Sequence, residues 1–210
     1  MPPRALVFDF NGTLSDDEPL LYDVYAELFA EHGRPLSERA YLDELAGHTE
    51  EEIIRRWLGR VSDDLVRERI DRYVARAGDG RTIDADARAA VRHAAERLPI
   101  GVVSAATRDE IAAVLGAAGL DRLFATIVSA EDVGRGKPDP EPYALAAERL
   151  RLQPSEIVAF EDTEAGVASA RAAGVGRVLA MKTTLEPHRL AAADELIDRI
   201  DVDVMRRCLS

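Results

Sequence analysis

The stretch RALVFDFNGTLSDDEP, residues 4–19, decides the reading of the whole chain. Its first part, residues 4–10, is a short apolar run closed by turn-forming residues, the pattern of a buried strand. Asp9 falls where that strand should end, and Asn11, Gly12 and Thr13 follow at once. An open parallel sheet binds its ligands at the carboxyl ends of its strands, so a carboxylate at this junction is a candidate for chemistry. The next polar position, Asn11, is an amide where a second carboxylate would be the expected partner.

Outward from this strand the periodicity changes. Leu20, Leu21, Val24, Tyr25, Leu28 and Phe29 form one helical stripe, Ile53, Ile54, Trp57, Leu58 and Val61 a second, and Leu65, Val66, Ile70, Tyr73 and Val74 a third. Gly33, Pro35, Gly47 and Gly59 are natural breaks between these helices. No strand-like alternation interrupts the stretch, which predicts an all-helical insertion over 16–80. Beyond it, strands are predicted at 100–104, 124–130, 157–162 and 177–181, with helices near 84–97, 108–118, 140–151 and 163–173. Repeated strand–helix units imply an α/β fold, a Rossmann-like parallel sheet with helices on both faces. The expected organisation is therefore a core of residues 1–15 and 81–210 carrying a helical cap of residues 16–80.

With 47% hydrophobic and 31% charged residues, the 210-residue chain has an ordinary globular composition. A formal net charge of -12 argues against sequence-independent nucleic-acid binding, which needs a basic stripe. The single cysteine, Cys208, allows no intrachain disulfide and fits a reducing compartment. No leader pattern precedes the first strand and no apolar run reaches membrane-spanning length, so the expectation is a cytoplasmic protein with no membrane partner. Among 27 basic residues only Lys137 and Lys182 are lysine. Lys137 lies in GRGKPDPEP, residues 134–142, where three prolines limit its wandering.

The predicted strand ends carry Asp9, Ser104 and the pair Glu161–Asp162, with Lys137 in the loop after the third strand. Each alone has a structural explanation, as turn, helix cap or solvated loop residue. All on one sheet edge, they suit phosphoryl transfer. Mg²⁺ takes oxygen ligands, commonly one or two carboxylates plus substrate phosphate. A carboxylate oxygen of Asp9 can attack phosphorus. Ser104, nearby backbone N–H groups and Lys137 can hold the phosphoryl oxygens.

The four segments DFNGTLSDDEP, VVSAAT, GRGKPDPEPYALAAERL and VAFEDTEAGVASARAAG resemble, in order and spacing, the motifs of the haloacid dehalogenase superfamily of aspartate-nucleophile phosphatases. The similarity is to the branch with a helical cap after the first strand, which includes β-phosphoglucomutase-like and phosphoglycolate phosphatase-like proteins. The resemblance implies Asp9 as nucleophile, Asn11 at the acid/base position, and Ser104 and Lys137 as phosphoryl-binding groups. It implies a Mg²⁺ site of Asp9, the backbone carbonyl of Asn11, Glu161 and Asp162. Thr13, Ala105 and Arg108 beside those motifs, and Gly47 and His48 in the cap loop GHTEE, are expected on the substrate. The implied substrate is a small phosphorylated metabolite, and the implied assembly a monomer or weak dimer.

The departure is Asn11. The family pattern is Asp-x-Asp-Gly-Thr, and its second aspartate protonates the leaving oxygen and then activates water. An amide cannot, and loss of such a group typically costs ~10²–10⁴ in rate. Glu161 and Asp162 argue against metal-free dehalogenation, and the absence of lysine from 16–80 argues against a Schiff-base mechanism. Glu50 stands near the point where mutases carry a cap arginine. Three readings stay open: a slow or selective phosphatase with another donor such as Asp16, Asp17 or His48; a ligand-binding protein that has given up fast hydrolysis; or an Asn11 that is engineered or deamidates to aspartate.

Overall fold

The computed structural model describes residues 2–209. Among these, β1 (Ala5–Phe8), β2 (Ile100–Val103), β3 (Phe124–Val128), β4 (Ile157–Glu161), β5 (Arg177–Met181) and β6 (Glu195–Ile197) form one sheet in the order β3-β2-β1-β4-β5-β6. Every pairing is parallel. The first three strands run outward to one side and the next three to the other. The order therefore reverses between β1 and β4, and the crevice at that switch point is where such sheets take ligands. Continuous apolar runs form these strands because both faces are covered. Ala5, Leu6, Val7 and Phe8 are all fully buried.

Helices α1 (Glu18–Glu31), α2 (Glu38–Glu44), α3 (Glu50–Leu58) and α4 (Asp63–Ala77) follow β1, and the predicted breaks at Gly33, Pro35, Gly47 and Gly59 all fall between them. They are succeeded by α5 (Ala85–Ala95), α6 (Arg108–Ala118), α7 (Glu141–Leu150), α8 (Glu164–Ala172) and α9 (Val202–Leu209). Period-two alternation sorts the strand side chains into two cores. Leu6, Phe8 and Phe160 face the side covered by α5, α6 and α9, and this core runs on without a break into Leu21, Tyr25, Phe29 and Tyr73 of the insertion. Ala5, Val7 and Ala159 face α7 and α8.

The predicted strands and helices are present, with ends shifted by one or two residues. Two elements escaped prediction. β6 has three residues, too few to show alternation, and forms because β5 offers it an edge. α9 buries only Val204, Met205 and Cys208, one stripe over eight residues. Cys208 is free and buried, and no helix among the described residues is long and apolar enough to cross a membrane.

Phe8 and Phe160 stack across the switch point with ring centroids 4.7 Å apart, and both are fully buried. Truncating such a ring loses its transfer energy and leaves a cavity. Phe160→Ala is expected to lower unfolding free energy by ~3–5 kcal/mol, read from urea denaturation. A loss under about 1 kcal/mol would mean that the pair is not central to the sheet.

Candidate active site

Asp9 follows β1 and is tied to its neighbour by its own N–H, which donates to the Phe160 carbonyl at 2.8 Å. Glu161 ends β4 and Asp162 follows it, directly before Thr163, whose hydroxyl caps α8 by accepting from the Gly166 N–H. The extended backbone through β4 and the cap that starts α8 thus fix both carboxylates. Asp9, Glu161 and Asp162 are all buried, with candidate ligand oxygens within 4.8 Å of one another.

The loop carrying Lys137 is pinned at both ends. Glu141 accepts the N–H groups of Gly134 at 2.8 Å and Arg135 at 3.0 Å, and the Ser169 hydroxyl donates to the Asp139 carbonyl at 2.5 Å. Lys137, only 5% exposed, sends its ammonium to Asp9 Oδ1 at 2.5 Å, Glu161 Oε1 at 2.6 Å and the Val103 carbonyl at 3.1 Å. The Tyr143 hydroxyl donates to the same Glu161 oxygen at 2.5 Å.

Three carboxylates therefore share one ammonium, and burial makes that imbalance severe. Burial raises the Asp9 pKa against the pull of Lys137, and lifts Glu161 to about 7. Asp162 is raised well above its ordinary range by burial and by Asp9, Glu18 and Glu161, and its hydrogen-bond partners are the neutral hydroxyls of Thr13 and Thr184. Burial works against the Lys137 charge, yet Asp9 and Glu161 more than compensate and hold its pKa above the ordinary value. The residues fit a divalent cation. All the donors are hard oxygens, three carboxyl groups stand against one ammonium, and Glu161 Oε2 is buried without a partner among the described residues.

Asn11 is not simply a missing acid. Its amide nitrogen donates to Asp17 Oδ2 at 3.0 Å and to the Tyr73 hydroxyl at 3.3 Å, while Tyr73 also donates to Asp17. Asp17 is buried, and burial pushes its pKa up to about 6 against the donors from Tyr73, Ser15, Asn11 and Gly12. Gly12, at φ +72°, lets the chain turn here, and a Cβ on it would overlap the Asp162 carboxylate.

The cavity over these groups is lined by Asp9, Asn11, Ser104, Ala105, Lys137 and Asp162 from below, and by Gly47, His48 and Glu50 from above. Ser104 accepts the Ala106 N–H at 3.0 Å, so its hydroxyl also shapes the turn after β2. Thr13, expected on the substrate, instead donates to Asp162 at 3.2 Å and does not line the cavity. Arg108 departs from expectation. Its guanidinium pairs with Asp132 at 2.5 Å, half its side chain is exposed, and it does not line the cavity. Of the suggested donors, Asp16 is exposed, Asp17 is held by Asn11 and Tyr73, and His48 Nδ1 stands 3.6 Å from Glu52.

Sequence reasoning missed the far wall of the cavity: Glu18, Tyr25, Tyr41 and Arg69. One signal for Arg69 existed. It falls between Leu65 and Tyr73 at four-residue spacing, a charge on the buried stripe of α4.

A haloacid dehalogenase-like hydrolase family model matches residues 3–174. The chain belongs to that family. It is 32% identical over 199 residues, 92% of each chain, to validoxylamine A 7'-phosphate phosphatase of Streptomyces hygroscopicus subsp. limoneus. It is 30% identical to hexitol phosphatase A of Escherichia coli (strain K12), covering 94% of this chain and 92% of that protein. Among solved structures, an aspartate-to-asparagine variant of CbbY from Rhodobacter sphaeroides in complex with xylulose-(1,5)bisphosphate superposes with a TM-score of 0.84 at 26% identity, over 94% of this chain and 95% of that one.

Two glycines in helices of the core test the packing around Glu161. Alanine is favoured over glycine inside a helix by ~1 kcal/mol. Gly116→Ala in α6, where an added Cβ meets nothing within 4 Å, should raise stability by up to that amount. Gly166→Ala in α8 should lower it, because the Cβ would overlap the buried Glu161 carboxylate and overpacking costs ~1–3 kcal/mol. Urea denaturation of the two variants should give opposite signs.

Proposed function

We propose that the chain is a Mg²⁺-dependent hydrolase of phosphate monoesters of small metabolites that works through an aspartyl phosphate on Asp9. The observation that carries this reading is the buried set Asp9, Lys137, Glu161 and Asp162, three carboxyl groups around one ammonium, at the switch point of the sheet. Its relatives named as phosphatases of validoxylamine A 7'-phosphate and of hexitols support the same chemistry.

Asp9, Glu161 and Asp162, with the carbonyl of residue 11, would hold Mg²⁺, which neutralises phosphoryl charge as it is redistributed. An Asp9 oxygen attacks phosphorus, the bond from phosphorus to the ester oxygen breaks, and the alkoxide takes up a proton to leave as the alcohol. Water then attacks the aspartyl phosphate, giving back the Asp9 carboxylate and inorganic phosphate. Ser104 and Lys137 hold the phosphoryl oxygens throughout. Asn11 cannot move the proton in either half, so leaving groups that depart without protonation are favoured and the second half is slow.

The free space between the helical insertion and the sheet edge is about 30 Å³. A substrate enters when residues 16–80 move as a cap and is shielded from bulk water when they close. A second reading, a binding protein without turnover, is favoured by Asn11 alone.

One kinetic comparison tests both. With Mg²⁺, the wild type should hydrolyse an aryl phosphate slowly, and Asn11→Asp should raise the rate on alkyl phosphates by ~10²–10⁴. A wild type inert on every ester beside an active Asn11→Asp variant favours the binding protein. An Asp9→Asn variant with undiminished activity refutes the nucleophile.

Mg²⁺ should also raise the thermal midpoint, since a ligand at one hundred times its Kd stabilises the folded state by ~2.7 kcal/mol. Glu161→Gln should weaken that shift, and a shift equal to wild type removes Glu161 from the metal site.

A further inference from the structure

The wall of the cavity opposite Asp9 has its own chemistry. Tyr25 of α1, Glu50 of α3 and Arg69 of α4 are 1%, 4% and 2% exposed, and all three line the same cavity as Asp9 and Lys137. Arg69 Nη1 pairs with Glu110 of α6 and lies 3.4 Å from Glu50 Oε1. The guanidinium carbon stands 4.9 Å from the centre of the Tyr25 ring and 5.3 Å from that of Tyr73. Arg69 Nε and Tyr25 Oη nevertheless have no hydrogen-bond partner among the described residues.

A buried donor left without a partner costs ~1–3 kcal/mol, so two such groups side by side on one wall of a cavity point to a ligand that satisfies them. The charges say which kind. Glu110 and Glu50 already face Arg69, so the cluster has no positive charge to offer whether Glu50 is ionised or protonated. Glu18 on the same wall adds another carboxyl. His48 adds no charge at neutral pH, since burial lowers its pKa with help from Arg56. A second phosphate, bringing about −1.5 to −2 charges, would meet carboxyls and no free cation. A hydroxyl would accept from Arg69 Nε–H, exchange a hydrogen bond with Tyr25 and donate to Glu50.

We infer that Tyr25, Glu50 and Arg69 form a distal subsite for a neutral hydroxyl of the leaving alcohol, so that the substrate is a monophosphate of a small polyhydroxy compound and esters carrying a second anion are rejected. The inference rests on the phosphate monoester reading above and deepens it. It separates this chain from the neighbour bound to xylulose-(1,5)bisphosphate, although the two folds superpose.

The test measures kcat/KM with Mg²⁺ on four probes: an aryl phosphate, a hexitol monophosphate, phosphoglycolate and a ketose bisphosphate. Binding of the last three is followed in parallel by thermal shift. The hexitol monophosphate should be preferred over both dianionic-tailed and carboxylate-tailed esters by ~10²-fold, the scale set by leaving buried polar groups unmatched. Tyr25→Phe should reduce kcat/KM for the hexitol monophosphate ~10-fold through KM, and reduce it less for the aryl phosphate, the size of one lost buried hydrogen bond. Its thermal midpoint without ligand should not fall, because the hydroxyl it removes has no partner, whereas a merely structural tyrosine would show a loss. Glu50→Arg should bring the bisphosphate up relative to the hexitol monophosphate. Equal use of the bisphosphate by wild type, or equal effects of Tyr25→Phe on hexitol and aryl esters, overturns the subsite. A chain that turns over nothing but binds the hexitol monophosphate in preference to the bisphosphate keeps the subsite and overturns the hydrolase reading instead.

Discussion

The ammonium of Lys137, 2.5 Å from Asp9 and 2.6 Å from Glu161, is the contact on which the site depends. It joins the ends of β1 and β4 to the loop after β3, three segments far apart in sequence. Two carboxylates about 4 Å apart repel by roughly 4 kcal/mol at an effective dielectric of about 20, so the strand ends could not be packed together without a cation between them. One ammonium does not balance three carboxylates. Burial first, and this remainder with it, keep Asp162 and Glu161 above their ordinary pKa values, and the surplus of carboxyl oxygens makes the cluster receptive to a divalent ion.

A second buried cation mirrors the first across the cavity. Arg69 belongs to the insertion and Glu110 to the core, so their pair joins the two parts of the chain at the level of the site. Glu110 is also the third residue of the capping box that starts α6, receiving the Thr107 N–H at 3.1 Å. One carboxylate thus fixes the start of α6 at the cavity and orients the arginine on its far wall. Buried ion pairs seldom add much net stability, because desolvation offsets the attraction, but breaking one is costly, so such pairs hold geometry.

Asn11 takes on a different meaning beside Asp17. In the sequence, Asn11 reads as an amide where the family resemblance expects an acid/base carboxylate. In the folded chain that amide donates to a buried carboxylate that also receives Tyr73 from α4. An aspartate at the same place would set two carboxylates against each other unless they shared a proton. Asn11 and Asp17 are therefore complementary, and the amide ties the loop after β1 to α1 and α4.

The sheet was legible because parallel strands are buried on both faces and so appear as uninterrupted apolar runs, and those of β1, β2 and β4 are closed by residues that enter the site. Asp9, Glu161 and Asp162 could be placed for that reason, and Lys137 because three prolines stiffen its loop. Residues near a motif in sequence were less secure. Arg108 follows Ser104 by one turn, yet it leans outward to Asp132, since a helix start exposes one face whatever its neighbours do. The third tier of groups, Tyr25, Glu50 and Arg69, was out of reach. A charge on an apolar stripe has meaning only through its partner, and that partner lies 41 residues away on another helix. The sequence by itself determined the α/β fold, the helical insertion and the acidic edge of the sheet, because these follow from local periodicity and strand ends. Only the tertiary structure decided which charges meet, and hence that the cavity faces carboxyls on both walls, because pairing across elements is set by packing and leaves no local trace.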